Sequence, residues 1–220
     1  PAFGELLELS KEQQHSIACI YQSPLYIHPT PALNTSALNP NLNSNQIQAD
    51  YREHEPGITY FDHFLTPEAL ERLYQFCLLS TIWHGDQKSG GYVGAYLEDG
   101  FTNELLFQIA DELRASFPLI LQNLPLVQMW AYKCDSQREG IGIHADGAIV
   151  NVNFWLTPDD ANLDPHSGGL IVYNKVAPLK WNFNDYNVQT QPIYDYLQTQ
   201  KAIPYSIAYR RNRAILFNSA

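Results

Sequence analysis

The chain has 220 residues, of which 45% are hydrophobic and 13% aromatic, so it is long and apolar enough to fold around its own core. Its formal net charge of −10 argues against a nucleic-acid partner or an anionic membrane surface, because each needs clustered positive charge. No apolar run approaches the roughly 20 residues of a membrane-spanning helix. Three widely spaced cysteines without a CxxC pair favour a reducing cytoplasm.

The first 50 residues are predicted to form an arm and a linker. The stretch GELLELSKEQQHSIACIYQ repeats apolar residues at helical spacing and predicts that residues 4–27 are helical. The next stretch, HPTPALNTSALNPNLNSNQIQAD, is rich in proline and asparagine, which is typical of a linker that builds no core. We therefore place the main domain at residues 51–220. Because the chain begins with Pro1 rather than Met, we expect it to be part of a longer protein.

Two helices are predicted in the first half of this domain. Thr66 caps the first of them, with Pro67 as its first residue. The second runs through NELLFQIADELRASF, and the intervening GGYVGAYL alternates like a strand. A further strand is predicted in GITYFDHFL, before the first helix.

After Pro125 the pattern changes to short strands separated by turn residues, with no helix between them. The strand-like stretches are LVQMWAYKC, GIGIH, AIVNVNFWL, GGLIVYN, IPYSIAYR and RAILF. Such a series predicts an antiparallel sandwich or barrel, with the two helices packed on one outer sheet.

The stretch GIGIHADGAIVNVNFW contains the main candidate for a metal site. On an extended strand, His144 and Asp146 point to the same side, so that an imidazole and a carboxylate converge. Such a pair, completed by a distant histidine, gives the two-histidine, one-carboxylate triad of non-haem Fe(II) enzymes.

A second pair of the same spacing, His84 and Asp86, competes with the first. It lies in WHGDQKSGG, whose composition predicts a loop, whereas His144 is flanked by strand-like sequence. Since a rigid sheet holds ligand geometry better than a loop does, we choose His144 and Asp146.

Three stretches together, YKCDSQREGIGIHAD, NVNFWLTPDDANLDPHSGGLIVY and YRRNRAILFNSA, resemble the 2-oxoglutarate/Fe(II)-dependent oxygenase superfamily. The resemblance spans residues 57–220 and is strongest to bacterial members, some of which carry upstream tetratricopeptide repeats. It implies a mainly β fold with flanking helices, the double-stranded β-helix or jelly roll also found in cupins.

The same resemblance implies the cofactors and the ligand set. His144 and Asp146 match the first two iron ligands, and the strand in NRAILFNS matches the one that leads to the distal histidine. That third ligand, and an arginine for the co-substrate, would lie just beyond Ala220. The implied enzyme is a dioxygenase of the hydroxylase type that uses Fe(II), 2-oxoglutarate and O2.

Four further residues are candidates for binding the co-substrate. Tyr132 precedes the pair on a strand, Asn151 and Asn153 follow it inside an apolar strand, and Arg213 opens the last strand. Each also has a structural interpretation, as core packing, a buried hydrogen bond or a surface ion pair. His166 is close in sequence to the pair and lies in a turn-rich stretch, so we do not expect it to be the distal ligand.

Two other functions stay open at this point. The domain would be a jelly-roll binding or regulatory module if its metal site is incomplete, or a cupin-type enzyme that works without 2-oxoglutarate. The substrate of an oxygenase would be a peptide side chain, an amino acid or a small metabolite.

Overall fold

The structure is a computed structural model that describes residues 8–21, 23–83, 92–134, 141–163, 166 and 168–219. The α-helices within these ranges are Lys11–Ile17 (α1), Ser44–Glu53 (α2), Pro67–Leu79 (α3), Glu104–Ser116 (α4), Pro118–Leu121 (α5) and Thr190–Thr199 (α6). The strands are Ile58–Phe61 (β1), Tyr92–Tyr96 (β2), Trp130–Cys134 (β3), Val150–Phe154 (β4), Leu170–Tyr173 (β5), Pro204–Ile207 (β6) and Ala214–Asn218 (β7). They pair antiparallel in three sheets, with strand orders β1-β7-β4, β2-β3 and β5-β6.

The main core lies between α3, α4 and one face of the β1-β7-β4 sheet. Leu73 and Phe76 of α3, Leu105 and Ile109 of α4 and Leu216 of β7 belong to one buried cluster. As predicted, α3 begins at Pro67 after the cap Thr66, whose hydroxyl accepts a hydrogen bond from the backbone N–H of Ala69. This packing agrees with the prediction of two helices on one sheet.

The opposite face of the same sheet packs against the β5-β6 sheet. Between these two sheets lies a second cluster, which consists of the buried residues Ile58, Val172, Ile207 and Ile215. The register pairs Asn151 with Phe217 and Asn153 with Ile215, so both asparagines lie on this inter-sheet face. The two sheets therefore form a two-layer arrangement with a pair of amide side chains on its inner surface.

The asparagine-rich segment 28–50 is not the core-free linker that its composition predicts. Ala37 and Leu38 are buried in the main core, and Leu38 forms an isolated β-bridge with Leu65. The carboxylate of Glu112 accepts hydrogen bonds from the backbone N–H groups of both Ala37 and Leu38. Because α4 satisfies these donors, a polar segment can insert its few apolar side chains. The expected domain boundary at Tyr51 falls within α2.

Two further predictions differ from the structure in the second half of the chain. Residues 141–149 of the predicted GIGIH strand and its continuation form a loop without regular structure. A helix, α6, lies between β5 and β6, where no helix is predicted; it buries only Ile193 and Leu197, one turn apart. The described strands do not close into a barrel, so the double-stranded β-helix stays a prediction. None of the helices in these ranges is long and apolar enough to cross a membrane.

Candidate metal centre

The loop at residues 141–149 brings the predicted ligand pair together. Nε2 of His144 lies 3.4 Å from Oδ1 of Asp146, although the two residues are not on a strand. Their side chains are 33% and 23% exposed, respectively. The pair is therefore held close and half-buried, and it remains open to a ligand from solution.

The spacing of these two atoms suits a shared metal ion. Two donors that bind one ion with bonds of about 2.1 Å lie about 3.0 Å apart in octahedral geometry and about 3.4 Å apart in tetrahedral geometry. An imidazole with a carboxylate is a donor set that Fe(II) accepts. In the part of the chain that the structure describes, no third histidine, cysteine or acidic residue joins the pair.

The imidazole of His144 is oriented by the backbone. Its Nδ1 lies 2.8 Å from the carbonyl oxygen of Gly142, and an N–H at Nδ1 would donate to that oxygen. The hydrogen bond with Asp146 raises the pKa of His144, burial opposes this, and the Gly142 carbonyl adds to the increase. A metal would replace the proton at Nε2, which is the atom that faces Asp146.

Asp146 is held from β4 through its carboxylate and from the residue after β7 through its backbone N–H. Its Oδ2 accepts a hydrogen bond from the amide Nδ2 of Asn151, which is buried on the inter-sheet face. The backbone N–H of Asp146 donates to the hydroxyl of Ser219 over 3.2 Å. Asn151 thus contacts a proposed metal ligand, whereas the sequence suggested a contact to the co-substrate. Ser219 was not predicted, because only the tertiary fold brings residues 73 positions apart together.

A segment between β5 and β6 contacts Ala145, the residue that lies between the two ligands in the chain. Asn184–Val188 form a short π-helix. The backbone N–H of Ala145 donates to the carbonyl of Tyr186 over 2.7 Å. Nδ2 of Asn187 donates to the carbonyl of Ala145 over 2.8 Å. The sequence analysis names neither Tyr186 nor Asn187 individually.

Two of the predicted co-substrate residues lie on strands next to the pair. Tyr132 packs edge-on against Tyr92 and Tyr96, with ring centroids 5.0 and 6.3 Å away. Burial raises the pKa of Tyr132, as do its hydrogen bond with Tyr96 and the negative charge of Asp146. Tyr132 is therefore within electrostatic reach of the ligand pair. Asn153 is half-buried on the inter-sheet face, and no hydrogen bond of its amide is found within the described ranges.

Arg213 lies away from this site. It precedes β7, whereas Ser219 follows it, so about 20 Å of extended chain separates them. Its Nε and a terminal nitrogen donate to the two carboxylate oxygens of Asp62 over 2.7 and 3.1 Å. This hydrogen bonding lowers the pKa of Asp62. Of the two interpretations, the structure has the ion pair, and the co-substrate role of Arg213 is not retained.

Of the remaining histidine candidates, His166 lies within the described residues. His166 is not grouped with the pair among the described residues. His84 and Asp86, the competing pair, lie outside the described ranges, as does the position expected for the distal ligand. Comparisons with protein-family models, with curated proteins and with solved structures find no match for this chain.

Proposed function

We propose that this chain is a jelly-roll oxygenase domain that uses Fe(II), 2-oxoglutarate and O2 to oxidise a peptide side chain, an amino acid or a small metabolite in the cytoplasm. The observation that carries the proposal is the 3.4 Å approach of His144 Nε2 and Asp146 Oδ1. The other polar atom of each side chain is engaged, Nδ1 with Gly142 and Oδ2 with Asn151. Each ligand therefore presents one remaining donor atom, and the two donors converge.

The protein residues have positioning roles in this proposal. Bound Fe(II) would supply the oxidative decarboxylation of 2-oxoglutarate to succinate and the oxidation of a C–H bond. His144 and Asp146 would hold the ion, and a third side chain, the co-substrate and O2 would complete its ligands. Asn151 holds Oδ2 of the Asp146 carboxylate, which would leave Oδ1 to bind the ion.

Asn153 and Tyr132 are the candidates for contacts to 2-oxoglutarate. Asn153 lies two residues from Asn151 on the same inter-sheet face, and an amide N–H can donate to a carboxylate. Burial and the Asp146 charge raise the pKa of Tyr132, so its hydroxyl stays protonated, and it would have to exchange its hydrogen bond with Tyr96 to contact the co-substrate. The two-layer packing of antiparallel sheets around this face is compatible with a jelly roll.

The first prediction is that the ligand pair controls both metal binding and turnover. Protein incubated with Fe(II), 2-oxoglutarate and O2 should release succinate, and His144→Ala or Asp146→Ala should reduce the rate more than about 100-fold, since losing a ligand should cost at least as much as losing its outer partner. Circular dichroism should remain that of the parent, because the sheets are held by their own cores. Succinate is measured by mass spectrometry.

Matched controls are His15→Ala on α1 and Asp111→Ala on α4, since both side chains are exposed and distant in sequence from the loop. Both controls should keep the parent rate. Metal binding by the parent without succinate release would favour the binding-module alternative. Unchanged metal affinity in His144→Ala would show that the pair is not the site.

A further inference from the structure

We propose that Asn187 is a positioning residue of the metal centre, and that the π-helix Asn184–Val188 acts as the element that sets the distance between the two ligands. This inference rests on the proposed metal site. It assigns a role to a segment that supplies no ligand itself. Its basis is the way Asn187 and Tyr186 contact the one residue between His144 and Asp146.

Ala145 connects two peptide units, and each carries one ligand. Its N–H belongs to the unit that joins it to His144, and its carbonyl belongs to the unit that joins it to Asp146. The backbone carbonyl of Tyr186 accepts from that N–H over 2.7 Å, and the side-chain amide of Asn187 donates to the carbonyl of Ala145 over 2.8 Å. Both planar units are therefore held, and neither can rotate without breaking a hydrogen bond.

The unit between Ala145 and Asp146 is held on both edges. Its carbonyl accepts from Asn187, and its N–H, which belongs to Asp146, donates to Ser219 over 3.2 Å. Ser219 and Asn187 come from different parts of the fold, so this peptide plane is fixed between them. The plane determines where the Asp146 side chain leaves the backbone, and hence how far Oδ1 lies from the imidazole.

The loop needs this support because it has no regular structure of its own. Residues 141–149 form no strand, so no ladder of backbone hydrogen bonds fixes their dihedral angles. A site on a loop holds its geometry only if surrounding groups lock it. The Asn187 side chain is half-buried against the loop, whereas Asn184, in the same π-helix, is exposed. Asn187 therefore contacts the loop at residues 141–149, whereas Asn184 does not.

The inference is tested by Co(II) titration of the parent and of Asn187→Ala, Asn187→Asp, Asn187→Gln and Asn184→Ala. Co(II) is the probe because its visible absorption reports the number and geometry of its ligands. Asn187→Ala should bind Co(II) about 10- to 100-fold more weakly, as is typical when an outer partner of a ligand is lost, with an altered spectrum. Asn184→Ala should match the parent in both affinity and spectrum.

The other two variants separate the hydrogen bond from simple packing. Aspartate has nearly the same size as asparagine but, when ionised, has no proton to donate to the Ala145 carbonyl, so Asn187→Asp should lose affinity as Asn187→Ala does. Glutamine keeps the donor and should restore part of the affinity. If Asn187→Ala does not fold, the comparison of Asn187→Asp with Asn187→Gln decides whether the hydrogen bond matters.

Three results would overturn this role. Equal Co(II) affinity and spectrum in the parent and Asn187→Ala would show that Asn187 has no positioning role, while the metal site itself would stand. Equal losses in Asn187→Asp and Asn187→Gln, or a loss in Asn184→Ala as large as that in Asn187→Ala, would mean that packing of the segment matters and not the hydrogen bond. No Co(II) binding by the parent would overturn the metal site itself and this inference with it.

Discussion

Asn212 shows how one side chain joins distant parts of the backbone. It adopts a left-handed conformation, with φ of 61°, in the turn before β7. Its Oδ1 accepts from the N–H of Leu65 over 2.8 Å, and its Nδ2 donates to the Leu65 carbonyl over 2.9 Å. The side chain therefore pairs with Leu65 as a neighbouring strand would, and Leu65 is almost fully buried. Asparagine suits this position because it tolerates positive φ and supplies both hydrogen-bonding groups.

We expect Asn212→Ala to reduce the free energy of unfolding by about 2–5 kcal/mol, because two buried backbone groups of Leu65 lose their partners. Asn212→Gly should cost about 1 kcal/mol less, since glycine takes a positive φ without strain. Urea unfolding of both variants measures these values. A glycine variant no more stable than the alanine variant would show that the backbone conformation contributes nothing.

At the scale of elements, α4 holds the segment 28–50 through one carboxylate. Glu112 accepts from the backbone of Ala37 and Leu38 and from the hydroxyl of Ser36. Burial acts to raise the pKa of Glu112, but these hydrogen bonds, together with one from Gln108, outweigh it and lower the pKa. The ionised form is therefore the one that the fold stabilises.

We predict that Glu112→Gln lowers the free energy of unfolding by about 1–3 kcal/mol near neutral pH, the range for hydrogen bonds to a charged group. Because the pKa of Glu112 is lower in the folded state than its ordinary value of 4.5, its contribution is complete above that value. The contribution is lost as the pH falls through the lower, folded pKa. The difference between parent and variant in urea unfolding should therefore shrink at acidic pH, whereas Asp111→Asn, on an exposed position of α4, should show little difference at any pH. A difference that is constant with pH would contradict a role for the charge.

At the scale of the whole molecule, β7 is shared between two layers. Leu216 faces the helical core, while Ile215, the adjacent residue, faces the β5-β6 sheet. Both are fully buried. The loop at residues 141–149 is attached to the second of these layers, because Asn151, which contacts Asp146, lies on the same face of the sheet as Ile215.

We expect Ile215→Ala and Leu216→Ala each to reduce the free energy of unfolding by about 2–5 kcal/mol, as large cavities in a core do. Only Ile215→Ala should also weaken Co(II) binding, since the cavity would open beside Asn153 on the face that supports the loop. Co(II) titration of folded protein in the absence of urea measures the second effect. Equal effects of both variants on Co(II) affinity would mean that the site depends on overall stability and not on this layer.

The sequence predicts the elements that leave a local pattern of residues, and it misses those that depend on distant contacts. Strand β4 is predicted correctly because Val150, Val152 and Phe154 alternate with two asparagines, so that one face packs on the main core and the other carries the amides. Helix α6 is missed because only two of its residues are buried and its tyrosines and threonines favour strands. Segment 28–50 is misjudged because its packing depends on Glu112, about 75 residues away.

In the candidate site too, some residues are marked by a local pattern and others are not. The pairing of His144 with Asp146 is visible as a two-residue spacing, and the structure brings their donor atoms together. Their supports, Ser219 and Asn187, belong to segments 73 and 42 residues distant from the groups they contact, and no local pattern marks them. Arg213 could not be assigned from sequence, since its partner Asp62 is 151 residues away.

The long sequence separation of these supports also has a consequence for how the chain folds. Each support closes a loop of more than 40 residues, and such closures cost conformational entropy before they bring any gain. Contacts of this kind slow folding and tend to form after local structure. The arrangement of the ligand pair would then be completed late, when β7 and the π-helix have already docked. During synthesis or refolding, the two side chains would therefore reach their native separation only after most of the protein has reached its native structure.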